Sequence, residues 1–115
     1  MYTVTITRTR PSTSVQWYYE TTDESGYETI KDNVMGQTKT TSANGLVQTI
    51  TQQWNSAEDF KALVVNKGDS AWAKHSVLQK NYMAENNITS EILTSETGED
   101  VIRRFNSATK EFEIV

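Results

Sequence analysis

The sequence predicts an α+β protein, in which helices cover one face of an antiparallel β-sheet. Apolar residues and threonines alternate at the N-terminus, an Asn-Gly pair separates two β-prone segments, and two further segments have apolar residues at helical spacing. The elements follow each other as strand, helix, strand, strand, helix and strand, and a hairpin is predicted after them. This order is the βαββαβ or ferredoxin-like pattern, extended by a C-terminal β-hairpin.

The first two predicted elements are a strand and an interrupted helix. Tyr2, Val4 and Ile6 alternate with threonines over residues 2–9, which predicts a strand with one apolar face. Apolar and aromatic residues then recur at three- and four-residue intervals over residues 14–34, with a break near the middle. We interpret this region as the first helix.

The clearest turn in the sequence is Asn44-Gly45. It lies between two β-prone segments, residues 37–42 and 46–54, and it favours a type I′ turn, in which both central residues have positive φ. The second and third strands are therefore predicted to form a β-hairpin.

Helix caps and turns divide the second half of the chain. Either Asn55 or Ser56 is expected to cap a short helix that ends before Gly68, and a second helical segment ends at Asn86-Asn87. The remaining strands are predicted over residues 88–95, 101–105 and 110–115. We therefore expect one domain over residues 1–115, with a core at 1–95 and a hairpin extension at 96–115.

Composition restricts the class of function. Hydrophobic residues make up 36% of the 115 residues, which is enough for one core, and the net charge of −4 argues against non-specific nucleic-acid binding. The chain has no cysteine, and no apolar run is long enough to span a membrane. We expect a cytoplasmic protein, or a virion protein if it is encoded by a phage, as its Thr- and Asn-rich composition is typical of small phage proteins.

No set of residues with catalytic spacing is evident. His75 is the only histidine, the five glycines are isolated, and the acidic pairs lie at predicted turns or helix starts. We therefore predict no metal site and no cofactor, and the protein is more consistent with a non-enzyme than with an enzyme.

Two groups of side chains are candidate contacts for a partner. Three adjacent aromatic rings point in different directions from a helix, so at least one is expected at an interface. A pair of adjacent arginines, together with Arg8 and Arg10, is a candidate contact for an acidic partner. The predicted partner-binding residues are Trp17, Tyr18, Tyr19, Arg103 and Arg104.

One segment resembles a known superfamily. The sequence Trp54-Asn55-Ser56-Ala57-Glu58-Asp59-Phe60 is similar to the strand end and helix start of the dimeric α/β-barrel superfamily of antibiotic-biosynthesis and haem-degrading monooxygenases. That resemblance implies a ferredoxin-like fold. It also implies that Trp54 and His75 occupy two positions of a catalytic Asn-Trp-His set, although the first strand has threonines and no Asn.

The predicted open face of the sheet argues against a cofactor chamber. It would consist mainly of Thr and Gln, with Val47 and Leu93 as its main apolar residues, whereas cofactor pockets are mostly apolar. The favoured hypothesis is a non-enzymatic binding or assembly module that acts through protein–protein contacts or self-association, without nucleic acid or membrane. The alternatives are a small monooxygenase-like enzyme and a small-molecule-binding domain.

Overall fold

The structure is a computed structural model that describes residues 2–18, 34–62, 71–96 and 99–115. These residues form six strands, which are β1 (Tyr2–Thr9), β2 (Val34–Thr41), β3 (Val47–Trp54), β4 (Thr89–Glu96), β5 (Glu99–Asn106) and β6 (Glu111–Ile114). They also form two helices, α1 (Ala57–Phe60) and α2 (Ala71–Glu85).

The strands form one antiparallel sheet in the order β2-β3-β1-β4-β5-β6. The N-terminal strand β1 is central, with β3 on one side and β4 on the other. β2 and the four-residue β6 are the edges. The C-terminal hairpin is thus part of the main sheet, because β5 pairs with β4 from Glu99 to Arg104.

The register separates two faces of the sheet. Val4 lies opposite Gln52 and Thr94 and is completely buried, so these residues share what we call the inner face. Thr5 lies opposite Thr51 and Leu93 on the other side, which we call the threonine face. The alternation of Thr with apolar residues in the sequence therefore identified the two faces of β1 and β3 correctly.

Two apolar clusters lie on the inner face. One surrounds Trp54, whose ring meets the ring of Phe60 edge-on at a centroid distance of 5.4 Å, while Tyr2 contacts the same phenylalanine at 5.6 Å. The other consists of Met83, Ile88 and Phe105. The first fixes α1 at one end of the inner face and the second fixes the end of α2 near β5.

Two of the predicted helix boundaries are confirmed. Ser56 accepts a hydrogen bond from the Asp59 amide at 3.2 Å and caps α1. At the end of α2, Asn87 has a φ of 57°, and the Ile88 amide donates to the Met83 carbonyl at 3.0 Å. A left-handed residue followed by this bond is the usual way to end a helix.

The predicted β-hairpin around Asn44-Gly45 is confirmed, but the predicted type I′ turn is wrong. β2 ends at Thr41 and β3 begins at Val47, so the loop is longer than two residues. The Gly45 amide donates to the Ser42 carbonyl, and in this loop only Gly45 has positive φ. Asn44 instead accepts a hydrogen bond from the Leu46 amide through its side chain, which stabilises the loop without a left-handed Asn.

The predicted ferredoxin-like fold, with helices covering one face, is also wrong. The described residues are mostly β, with six strands and two helices of four and 15 residues. Residues 14–18, assigned above to the first helix, form turns and bends, and residue 34 already belongs to β2. The rest of that predicted helix, including Tyr19, lies outside the described residues.

Candidate functional site

The candidate site lies where residues 10–18 cross the end of the inner face. This segment is held by side chains from distant parts of the chain. Arg10 donates from Nε to the Gly45 carbonyl at 2.7 Å and from Nη1 to the Val15 carbonyl at 2.8 Å. Gln79 of α2 donates to the Trp17 carbonyl at 3.0 Å. The backbone carbonyls that a helix would use internally are thus bonded to side chains instead.

Three cations and two aromatic rings meet at this end of the sheet, and we call them the cation–aromatic cluster. The Arg10 guanidinium carbon lies 4.4 Å from the centre of the Trp17 ring. The Tyr18 ring is contacted by Arg8 at 5.0 Å and by the Lys39 ammonium at 4.9 Å. These distances are within the range of attractive cation–π contacts, each contributing about 0.5–2 kcal/mol according to its exposure.

The strand register brings the cluster together. Arg8 continues the inner face of β1 after Ile6, because alternate residues of a strand point to the same side. It lies opposite Gln48 of β3, whose side-chain carbonyl accepts a hydrogen bond from the Tyr18 hydroxyl at 3.1 Å. Lys39 of the edge strand β2 is on the same face, opposite Ile50.

The charge of the cluster is unbalanced. No described carboxylate lies within ion-pair distance of its three cations, although cations elsewhere in the described residues do find partners. Lys80 pairs with Glu111 at 2.9 Å and Arg104 with Glu91 at 3.4 Å. In a protein with a net charge of −4, three cations without a described acid are a local concentration of positive charge.

Arg8 is the least satisfied member of the cluster. Its Nε and Nη1 atoms are buried from solvent and have no hydrogen-bond partner, although the residue as a whole keeps some exposure. Burial lowers the pKa of Arg8 from its ordinary value, and its charge interaction and hydrogen bonding with Tyr18 oppose that shift. The guanidinium still stays protonated near neutral pH, since its ordinary pKa is far higher.

Ser90 is the second unsatisfied group at this end of the inner face. It lies directly opposite Arg8 across the β1–β4 pair, and its hydroxyl is buried without a hydrogen-bond partner. Native proteins leave few buried polar groups unpaired, because each one loses its hydration without replacement. Arg8 and Ser90 are thus cross-strand neighbours whose buried polar atoms are not satisfied by any described residue.

The structure separates the predicted partner-binding residues. Trp17 and Tyr18 are in the cluster, and Tyr19 lies outside the described residues. Arg103 is on the inner face of β5, where its Nη1 donates to Thr94 at 3.2 Å. Arg104 is on the threonine face beside Glu91. The arginine pair and the aromatic residues therefore do not form one surface.

The monooxygenase resemblance implies catalytic roles for Trp54 and His75, and the structure describes the side chain of Trp54 alone. Trp54 is completely buried and donates its indole N–H to Gln52 at 3.0 Å, so its polar atom is already bonded within the core. His75 belongs to the first half of α2, but its side chain lies outside the described part. A contact between them remains untested.

The described residues lack two features. They contain no group of three or more metal-ligating side chains that could hold an ion. Across the same residues, no helix is both long and apolar enough to cross a membrane.

Comparison with known proteins adds no relative. No protein-family model, curated protein or solved structure matches the chain. The monooxygenase resemblance thus receives no support from them, and the candidate site is described by its geometry alone.

Sequence reasoning found only part of the cluster. Arg8 was identifiable, because the alternation of Tyr2, Val4 and Ile6 continues to it and places a cation on the apolar face. Lys39 and Ser90 have no comparable signal in the sequence. They enter the site only through the pairing of β2 and β4 with the central strands.

Proposed function

We propose that the protein is a non-enzymatic binding module that docks an acidic segment of a partner protein on the cation–aromatic cluster. The observation that supports this is the absence of any described carboxylate opposite its three cations. A partner segment rich in Asp and Glu would place carboxylates beside these three cations. Opposite charges across an interface speed association and select the partner.

The cluster is also arranged in advance of binding. Arg10 is held by two backbone carbonyls, and Tyr18 is fixed by its bond to Gln48, so these side chains lose little freedom when a partner arrives. Trp17 and Tyr18 are half-buried and keep part of their rings accessible. Aromatic residues and arginine are enriched in interface centres because they combine apolar area with polar atoms.

Fluorescence anisotropy tests the proposal, with a labelled poly-Glu peptide as the probe. Wild-type protein should bind it saturably at low salt, and binding should weaken as salt is added, since exposed charges are screened. Lys39→Glu reverses an exposed cation of the cluster without touching the core, and it should weaken binding by about tenfold, or about 1.4 kcal/mol.

Arg104→Glu is the matched control. It makes the same change in charge on the threonine face, outside the cluster, and should leave the affinity close to that of the wild type. Equal losses in the two variants would show that only net charge matters and would refute a specific site. Failure of the wild type to bind the peptide at low salt would refute the proposal as well.

A further inference from the structure

We propose that the Arg8–Ser90 pair at the bottom of the cluster is a binding site for one oxyanion group, a carboxylate or a phosphate. The inference rests on the proposed function for the molecule that presents the anion, but the site itself is defined by this chain. The oxyanion would bind at the most buried part of the cluster.

The first argument is the arrangement of donors. Arg8 Nε and Nη1 together offer three N–H groups, and the Ser90 hydroxyl can donate a fourth hydrogen bond. Arg8 and Ser90 are directly opposite each other on adjacent strands of the inner face, where side chains of a cross-strand pair are neighbours. Unsatisfied donors from two adjacent strands therefore lie on the same face, where one oxyanion could accept from both.

The second argument is that no described residue accepts a hydrogen bond from Arg8 Nε or Nη1. Gln48, the other cross-strand neighbour of Arg8, already accepts the Tyr18 hydroxyl through its side-chain oxygen. The remaining neighbours of Arg8 in the cluster are cations and aromatic rings. A buried guanidinium with two unsatisfied nitrogens is costly, and an oxyanion would satisfy its charge and these donors together.

The third argument is the surrounding charge. Lys39 contacts the same Tyr18 ring as Arg8, and Arg10 contacts the ring of Trp17. Both cations therefore add to the positive potential around Arg8. Potentials of this kind raise the local concentration of anions and speed their entry. A neutral or cationic ligand would gain nothing from the same surroundings.

Thermal unfolding with added salts tests the site. Wild-type protein is titrated with sodium acetate and, separately, with sodium phosphate, while sodium chloride keeps the ionic strength constant. The expected result is a Tm that rises saturably with at least one oxyanion, because a ligand that binds only the folded state stabilises it. In parallel, the Arg8 Nε–H resonance in ¹⁵N-labelled protein should shift along the same saturation curve.

The two salts distinguish the sources of the anion. Saturation with acetate assigns the site to a carboxylate side chain, and saturation with phosphate alone assigns it to a phosphorylated group. A Tm that rises linearly without saturation, with an unmoved Arg8 resonance, is the general effect of excluded salts and would overturn the proposal.

Two variants separate an anion site from a structural arginine. Arg8→Met keeps much of the side-chain volume and should raise the Tm of the ligand-free protein, because it removes an unpaired buried charge. It should also abolish the response to the oxyanion. Ser90→Ala should leave the ligand-free protein at least as stable as the wild type. It should also lower the affinity for the oxyanion by about tenfold.

Arg104→Met serves as the control, since it removes a cation from the threonine face and should keep the full oxyanion response. An Arg8→Met variant that unfolds more easily and keeps the response would refute the site. If free oxyanions fail but the poly-Glu peptide still binds, only this inference falls. If oxyanions bind and the peptide does not, only the proposed function falls.

Discussion

Gly45 is the single residue on which the shape of the candidate site depends most directly. Its φ of +75° is in the left-handed region, and its carbonyl accepts the Arg10 guanidinium at 2.7 Å. A Cβ at this position would lie 3.0 Å from Thr13 Cγ2 and 3.5 Å from Arg10 Nη2. The β2–β3 loop and the cation–aromatic cluster are thus joined at one residue.

Gly45→Ala should lower the free energy of unfolding by about 1–2 kcal/mol, because an L-residue is strained at this φ and its Cβ crowds Thr13. Denaturant titration followed by tryptophan fluorescence measures the change. Gly36→Ala is the control, since a Cβ there meets nothing within 4 Å. An equal loss in both variants would contradict the role of the left-handed conformation.

Arg8 shows what can be read from a sequence at this scale. Its place on the inner face follows from two-residue alternation, which depends only on local backbone geometry. Its lack of a partner does not follow, because that depends on which side chains β3 and β4 place beside it. A buried cation was predictable, and an unsatisfied one was not.

Among the elements, α1 is the shortest and depends on one side chain. Its four residues are too few for a helix to be stable alone, and Phe60 provides its buried contact. The ring of Phe60 lies between those of Tyr2 and Trp54, at 5.6 Å and 5.4 Å. α1 is therefore held by the inner face of the sheet and not by its own hydrogen bonds.

Phe60→Ala should lower the free energy of unfolding by about 3–5 kcal/mol, because it leaves a cavity beside Trp54. Glu58→Ala, on the exposed side of the same helix, should change it by less than about 0.5 kcal/mol. Both are measured by denaturant titration. A loss below about 1 kcal/mol for Phe60→Ala would show that α1 is not anchored in the core.

The strands were predictable and the first helix was not. β1, β3 and β4 alternate clearly in sequence, and the structure has them within a residue or two of the predicted bounds. Residues 14–18 also fit a helical spacing, but Gln79 and Arg10 bond to the carbonyls of Trp17 and Val15. Tertiary contacts of this kind override local propensity, and they cannot be predicted from a local sequence pattern.

At the scale of the whole molecule, the two sides of the sheet have different characters. The inner face holds the core and the cation–aromatic cluster, whereas the threonine face is polar across β3 and β1, where Thr49 and Thr51 lie opposite Thr7 and Thr5. Its exposed apolar residues include Leu93 and Ile102, which are cross-strand partners. Obligate interfaces are more apolar than such a surface.

Thr5→Lys, at the centre of the threonine face, should therefore leave the oligomeric state unchanged. Size-exclusion chromatography with light scattering measures the molar mass of the variant beside that of the wild type. A wild-type dimer that the lysine converts to a monomer would contradict this view of the face. Ser95→Lys, at the far end of the exposed side of β4, controls for the added charge.

The most direct test of the central claim is to map where an acidic segment binds. Unlabelled poly-Glu peptide is added to ¹⁵N-labelled protein, and the shifts of the backbone amides and the arginine Nε–H groups are followed. We expect saturable shifts around Arg8, Arg10, Trp17 and Lys39, with the amides of Leu93 and Ile102 on the threonine face unmoved. Shifts centred on the threonine face or on Arg104, without shifts in the cation–aromatic cluster, would show that the acidic segment does not bind at the cluster.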